Sequence, residues 1–284
     1  MDLSQAVTIE RPGQAALDLN SVRDPNSVGS SPVSGYNIES VDFSNVSVTA
    51  FSEDVPQVDG VDSYDAYLGA RQISIIIGVY GSTYGDFWDK ITELNYALQA
   101  RPSFATGQAF PDDGFRKLSF TQPKASGSYS LYMKVRPMEL PRFVTESGAS
   151  AGDDDRGYAT RVRVTLMAED PYKYFESPRV FTRTGSGTVS AINDGKTIAW
   201  PTVAWSTTST VSPLRVELGT DSVAFTKAGG FGSNFSVDFK TCVSTQTNYL
   251  TEYEFFAIPP GTSTVTVTSG AGVVCTITIN EAIL

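Results

Sequence analysis

Residues Arg71 to Pro102 read RQISIIIGVYGSTYGDFWDKITELNYALQARP, and within them the apolar period changes once. In the first nine residues Ile73, Ile75 and Ile77 alternate onto one face, and Ile76 is apolar as well. That pattern predicts a central strand covered on both sides. From Phe87 the spacing becomes four, three and four through Ile91, Leu94 and Leu98, which places these residues on one helical stripe. Thr83, with Asp86 three residues on, suits a capping box, and Arg101-Pro102 supplies a stop. The spacing therefore predicts a helix over about 86–99, laid by its single apolar stripe against one side of the preceding sheet.

Outward from this unit the chain reads as strands. FRKLSF and SYSLYMKVRP, separated by TQPKASG, form a predicted long hairpin over residues 115–137. On its second arm Leu131, Met133 and Val135 face one way, and Tyr132, Lys134 and Arg136 face the other. The strand YATRVRVTLMAED, from Tyr158, puts Val162, Val164 and Leu166 inward and Arg161, Arg163 and Thr165 outward. It ends in AEDPYKYFESPR (168–179), where Pro171 and Pro178 remove ladder donors and bias the preceding residues away from regular pairing. Tyr172, Tyr174 and Phe175 between them are expected to pack against the domain that the chain is leaving.

The two flanks differ. Residues 1–35 are rich in turn formers and poor in periodic apolar positions, and are expected as an extended arm leading into a domain over 36–175. Residues 176–200 are Gly-, Ser- and Thr-rich and are expected as a linker, with one hairpin signal at Asn193-Asp194-Gly195. From residue 201 to 284 short strands recur between turns: PTVAW, PLRVEL, SVAFTK, NFSVDFK, EYEFFAI, STVTVT and VVCTITI. Such a succession predicts a β-sandwich. The whole is thus mainly β, with one packed α-helix in its N-terminal domain.

Composition narrows the chemistry. The 284 residues carry a formal net charge of −10 and no histidine. Without histidine neither a Ser-His-Asp nor a Cys-His nucleophile system can be built, and zinc sites lose their commonest nitrogen ligand. The acidic balance argues against a protein that grips phosphate backbones. The N-terminal residues MDLSQAVTIERPGQ lack the basic-then-apolar order of a secretory signal, and the apolar run near Ile73 to Tyr80 is too short to cross a bilayer as a helix. Cys242 and Cys275 are expected as reduced thiols in a reducing compartment.

Three motifs invite chemistry and carry little. Gly148-Ala149-Ser150-Ala151-Gly152 matches a nucleophile elbow but has neither the strand-to-helix context nor a histidine. Asp153, Asp154 and Asp155 lack cation-loop spacing and read as a solvated loop. Glu252 and Glu254 are a carboxylate pair on a predicted strand with nothing else to mark a cleft. Trp200, Trp205 and Phe231 are candidates for stacking on sugar rings, though core packing is the commoner role of such residues in a sandwich. No cofactor and no metal is expected.

The order of these pieces carries a resemblance: DGVDSYDAYLGARQISIIIGVYG, amphipathic helix, long hairpin, a strand ending in AEDPYKYF, then a sandwich containing IAWPTVAW and FFAIPPGTSTVTV. The chain resembles the distal tail protein family of long-tailed bacteriophages, the phage tail component family. The resemblance implies a tail-tube-like ring-forming domain followed by a galectin-like sandwich. It also implies a homohexameric ring that joins the tail tube protein to the tip hub protein and to receptor-binding or fibre proteins, with DNA passing through a central channel without specific binding. It brings no catalytic residues. The location implied is the virion tail tip, after synthesis in the host cytoplasm. Arg71, Arg161, Arg163, Tyr132 and Lys134 are the expected contacts between subunits. The competing readings are a carbohydrate-binding adhesion module, a tube subunit and, with Glu252 as its carboxylate, a polysaccharide-degrading enzyme.

Overall fold

The computed structural model describes residues 7–22, 33–44, 46, 48–54, 61–99, 114–144, 150–151, 158–206, 213–232 and 234–284. The chain forms two compact units, residues 1–171 and 172–284. Among the described residues the architecture is mainly β, with one α-helix.

The first unit opens with β1 (Thr8–Glu10) and β2 (Leu17–Asp18), followed by β3 (Gly35–Phe43), the hairpin β4 (Val48–Asp54) and β5 (Val61–Leu68), and β6 (Arg71–Gly81). After α1 (Tyr84–Leu98) come β7 (Arg116–Pro123), β8 (Ser128–Pro137), β9 (Arg142–Phe143), β10 (Ser150–Ala151) and β11 (Tyr158–Ala168). The sheet runs in the order β2-β1-β7-β8-β11-β6-β3. Its longest ladder is antiparallel, from Tyr158 opposite Gly81 to Ala168 opposite Arg71. On β6, Ile73, Ile75, Ile77 and Val79 are fully buried. Ile76 on the opposite face is only half-buried, so the strand is covered fully on one side, not on two.

The helix covers that side. Phe87, Ile91, Leu94 and Leu98 are its buried residues, and it packs on β6 and β11. A 15-residue helix is marginal alone, so its stability comes from this stripe, each large side chain contributing roughly 1.5–3 kcal/mol on burial. Gly81 is required by the approach of the first turn, since a Cβ there would lie 2.4 Å from the Phe87 backbone. Thr83 is the N-cap, and its hydroxyl accepts from the Asp86 amide at 3.2 Å. The Asp86 carboxylate in turn accepts from the Ser82 amide at 2.7 Å, one residue before the cap.

The N-terminal stretch expected as an arm joins the sheet over its described part. β1 pairs with β7, and Val7, Ile9 and Leu19 are buried. Asn20, fully buried, accepts from the Ile38 amide at 3.1 Å. Turn-rich composition concealed this because only two and three residues pair at a time.

The second unit begins with β12 (Lys173–Phe175), β13 (Arg179–Thr184), β14 (Gly187–Asn193), β15 (Pro201–Ser206) and β16 (Leu214–Leu218). It continues with β17 (Asp221–Phe225), β18 (Phe235–Asp238), β19 (Val243–Ser244), β20 (Leu250–Tyr253), β21 (Gly261–Thr268), β22 (Val274–Ile279) and β23 (Ala282–Ile283). Two five-stranded sheets, β13-β22-β15-β18-β19 and β14-β21-β16-β17-β20, enclose one core. Residues 176–200 are therefore not a linker: β13 pairs with β22 and β14 with β21. Their exposed positions are Thr182, Thr184, Thr188 and Ser190 beside Val180 and Ile192, so much of the composition is that of a loop while the alternation is that of a strand. The turn at Asn193-Asp194-Gly195 is held from outside, because the buried Glu281 carboxylate accepts from the Asp194 amide and lies 3.4 Å from Arg179 Nε.

Candidate functional site

Among the described residues no group of three or more His, Cys, Asp and Glu is placed to hold a metal ion, and no helix is long and apolar enough to cross a membrane. Asp153, Asp154 and Asp155, and most of the Gly148–Gly152 motif, lie outside the described residues. The surfaces that remain are two faces of the first unit and one edge of the second.

The first is the outward side of β6 and β11. Arg161 is exposed, and its Nε donates to Glu39 at 2.8 Å. Arg163, also exposed, lines a depression of about 610 Å³ with Gln72, Ser74, Thr165 and Glu139. Its carboxylate, Glu139, accepts from the Thr165 hydroxyl at 3.1 Å and pairs with Arg142. Beside it Met138, Leu140 and Phe143 are exposed. Arg71 does not belong to this face. It starts β6 on the buried side at 6 % exposure, and burial lowers its guanidinium from the usual arginine value. Strand parity puts Arg71 on the face of Ile73, not on that of Gln72.

The second is the outer side of the β7–β8 hairpin, where Tyr132 and Lys134 do lie together. Lys117 Nζ sits 4.9 Å from the Tyr132 ring centroid, and Lys134 Nζ 4.1 Å from that of Phe115. Arg136 approaches the same Phe115 ring at 4.4 Å, and Lys124 lies 4.3 Å from Tyr129 toward the hairpin tip. Glu10, Pro12, Phe115, Arg116, Lys117, Tyr132 and Lys134 line a cavity of about 350 Å³. Sequence alternation found the shared face of Tyr132 and Lys134. It missed the cation-over-ring contacts; Lys117 is two residues from Ser119, the register partner of Tyr132, and Lys124 two residues from Gln122, the partner of Tyr129.

The remaining expected residues fall elsewhere. Tyr172, Tyr174 and Phe175 are half-buried; Lys173 and Tyr174 pair with Ile283 and Ala282, so this exit segment is a strand tied to the C-terminus. Trp205 is 1 % exposed, stacked on Phe235 at 5.0 Å. Phe231 is 2 % exposed, 4.9 Å from Phe235. Neither offers a ring to a sugar; both are core residues, and only Trp200 is surface-exposed. Glu252 is engaged within its own sheet: Ser222 donates to it at 2.6 Å and Arg215 Nε stands 2.7 Å away.

No protein-family model matches the chain, and no curated protein matches it. Solved structures do resemble it in fold. The SPP1 Dit (gp 19.1) protein, described as a paradigm of the hub adsorption apparatus in phages that infect Gram-positive bacteria, aligns with a TM-score of 0.63 at 17 % identity, over 99 % of this chain and 100 % of its own. A chain of the phage P2 baseplate in its activated conformation with Ca aligns with a TM-score of 0.51 at 9 % identity, over 97 % of both chains. The strontium form of that baseplate gives 0.50 at 8 % identity, over 96 % of this chain and 97 % of the other. The two-unit, mainly β architecture of this chain is thus one shared with phage hub and baseplate proteins.

Proposed function

We propose that this chain is a structural, non-enzymatic subunit of a phage tail tip, the distal tail protein of its particle. The observation that carries the reading is the extent of the likeness: both units match, in order, over 99 % of this chain and 100 % of the SPP1 Dit chain. In this reading six copies close into a ring through the N-terminal units, the tail tube and tip hub proteins stack on its two faces, and receptor-binding or fibre proteins attach at the second units. DNA passes through the central hole, and a chain of net charge −10 does not retain it, since like charge opposes the phosphate contacts that make DNA stick. The exposed Arg161, Arg163, Tyr132 and Lys134 serve as contacts between protein chains.

Light scattering on the purified full chain, with negative-stain imaging of the same sample, tests the proposal. The expected result is a six-membered ring with a hole. A monomer that forms no ring at any concentration overturns self-assembly.

A further inference from the structure

One sheet of the second unit has an outward face almost without charge. Direct partners across β13, β22, β15 and β18 share a face, so Thr182, Thr276, Ala204 and Ser236 stand side by side in one row. The next row, with Cys275, Trp205 and Phe235, faces the core. Among the described residues of these four strands Asp238 alone is charged and turned outward, in a chain with 21 Lys and Arg and 31 Asp and Glu. Its carboxylate already accepts from the Lys240 and Thr241 amides at 2.8 and 3.2 Å. A surface built for solvent alone mixes charges of both signs.

The row has a hollow in it. Ala204 lies between Thr276 and Ser236 with no side chain beyond its Cβ, and Ser206, Asn234, Ser236, Thr245, Gln246 and Thr276 line a depression of about 440 Å³ there. Their hydroxyl and amide groups can both donate and accept. From Ala199 to Ser206 buried residues alternate with exposed or half-buried ones, which puts Trp200 on the same side as Thr202, Ala204 and Ser206. Trp200 is exposed, and four strand residues set it about 13 Å along β15 from Ala204.

These groups select a ligand. Phosphate backbones need clustered cations, which the face lacks. Protein interfaces concentrate aromatic, Met and Arg side chains at their centre, where this face has Thr, Ala and Ser. A sugar matches both parts: a pyranose offers an apolar C–H face to an indole ring, and its hydroxyls pair with neutral donors and acceptors with no charge to desolvate. We propose that the outward face of β13, β22, β15 and β18 binds a neutral oligosaccharide laid along β15, one sugar stacked on Trp200 and a later one seated in the depression at Ala204. This adds a ligand to the tail-tip reading and does not depend on ring closure.

The test uses the full chain, with the linear trisaccharides of glucose, galactose and N-acetylglucosamine as probes and sialyllactose as an anionic counterpart. Saturation-transfer NMR detects binding, and calorimetry gives its affinity for the unchanged chain, Trp200→Ala and Ala204→Leu, whose added side chain fills the depression. The expected result is binding of at least one neutral trisaccharide, weakened at least about fivefold by Trp200→Ala, in keeping with loss of one aromatic contact. Ala204→Leu abolishes it, and both variants keep the cooperative melting of the unchanged chain. Binding that both variants retain places the sugar elsewhere and overturns this site. Binding of sialyllactose alone, or of none of the four probes, overturns the proposal as well. If no sugar binds and Ala204→Leu instead disrupts self-association in light scattering, the face is a contact between copies and the proposal falls.

Discussion

Arg116 Nε donates to the backbone carbonyl of Ala97 at 2.7 Å, so a strand residue closes the C-terminus of the helix that precedes it. A terminal nitrogen of the same guanidinium donates to the Gln99 carbonyl at 2.7 Å, and Arg11, from beyond β1, reaches the Tyr96 carbonyl at 3.1 Å. The helix has no basic residue in its own last turn. Its orphan carbonyls and the negative end of its dipole are therefore satisfied by arginines brought in by the sheet. Arg116 is 1 % exposed, and truncation to Met takes its donors from the partly buried Ala97 and Gln99 carbonyls. The expected loss is at least about 3 kcal/mol, counting more than one charge-assisted bond, measured by denaturant unfolding; Lys at this position recovers only part because it lacks the planar fork.

Across the helix, the Tyr36 hydroxyl donates to the Lys90 carbonyl at 2.8 Å and lies 3.1 Å from Glu93. Tyr36→Phe keeps the ring and removes both bonds. It should cost about 1–2 kcal/mol, for two lost hydrogen bonds of which one goes to a carboxylate, and hydrogen exchange should quicken in the middle of α1 before it does in β6 and β11.

The two tryptophans of the second unit should separate core from surface. Trp205→Ala removes a ring packed between Phe225 and Phe235 and is expected to destabilise the unit by about 3–5 kcal/mol. Trp200→Ala should cost under about 1 kcal/mol, as a substitution at a half-exposed position. A melting curve for each variant checks this. A glycan-binding assay in which Trp205→Ala lost binding at unchanged stability would contradict the core assignment.

The thiols should behave oppositely. Cys242 is exposed and Cys275 fully buried, so a thiol reagent should modify one residue per native chain and two after denaturation.

Alkaline stability follows from the same burial. Desolvation pushes the Cys275 thiol from 9.0 up to about 12. Above pH 9 the unfolded thiol loses its proton while the folded one keeps it, so stability that is intact below pH 9 falls as pH rises toward about 12. Tyr36 adds to this from pH 10 upward, because burial, then the Glu93 carboxylate, raise its phenol above the usual value. Cys275→Val should flatten the pH dependence between 9 and 12 for the second unit; an unchanged slope would count against the assignment.

Much of the fold is legible in residue order because it depends on period. Ile73, Ile75 and Ile77 can share a face only in a strand, and Phe87, Ile91, Leu94 and Leu98 only in a helix, so both elements and the helix's buried stripe followed from spacing, while the strand's second face, expected to be covered, is only half-buried at Ile76. The absence of histidine likewise removed triad chemistry without reference to any coordinates. The surfaces were harder to read. Arg71, Arg161 and Arg163 are alike in sequence, yet parity along paired strands buries the first and exposes the other two.

Long-range pairing decided the rest. Within the Thr- and Ser-rich residues 176–200, β13 and β14 are strands because β22 and β21, about 70 to 100 residues later in the chain, supply their ladder partners. Trp205 and Phe231 are core residues because two sheets close over them. Arg116 ends a helix from seventeen residues away because β7 returns beneath it. Sequence fixes local geometry through backbone sterics and apolar period; only tertiary structure selects which carbonyl meets which donor, since that pairing depends on loop closure and on what the neighbouring strand leaves unsatisfied.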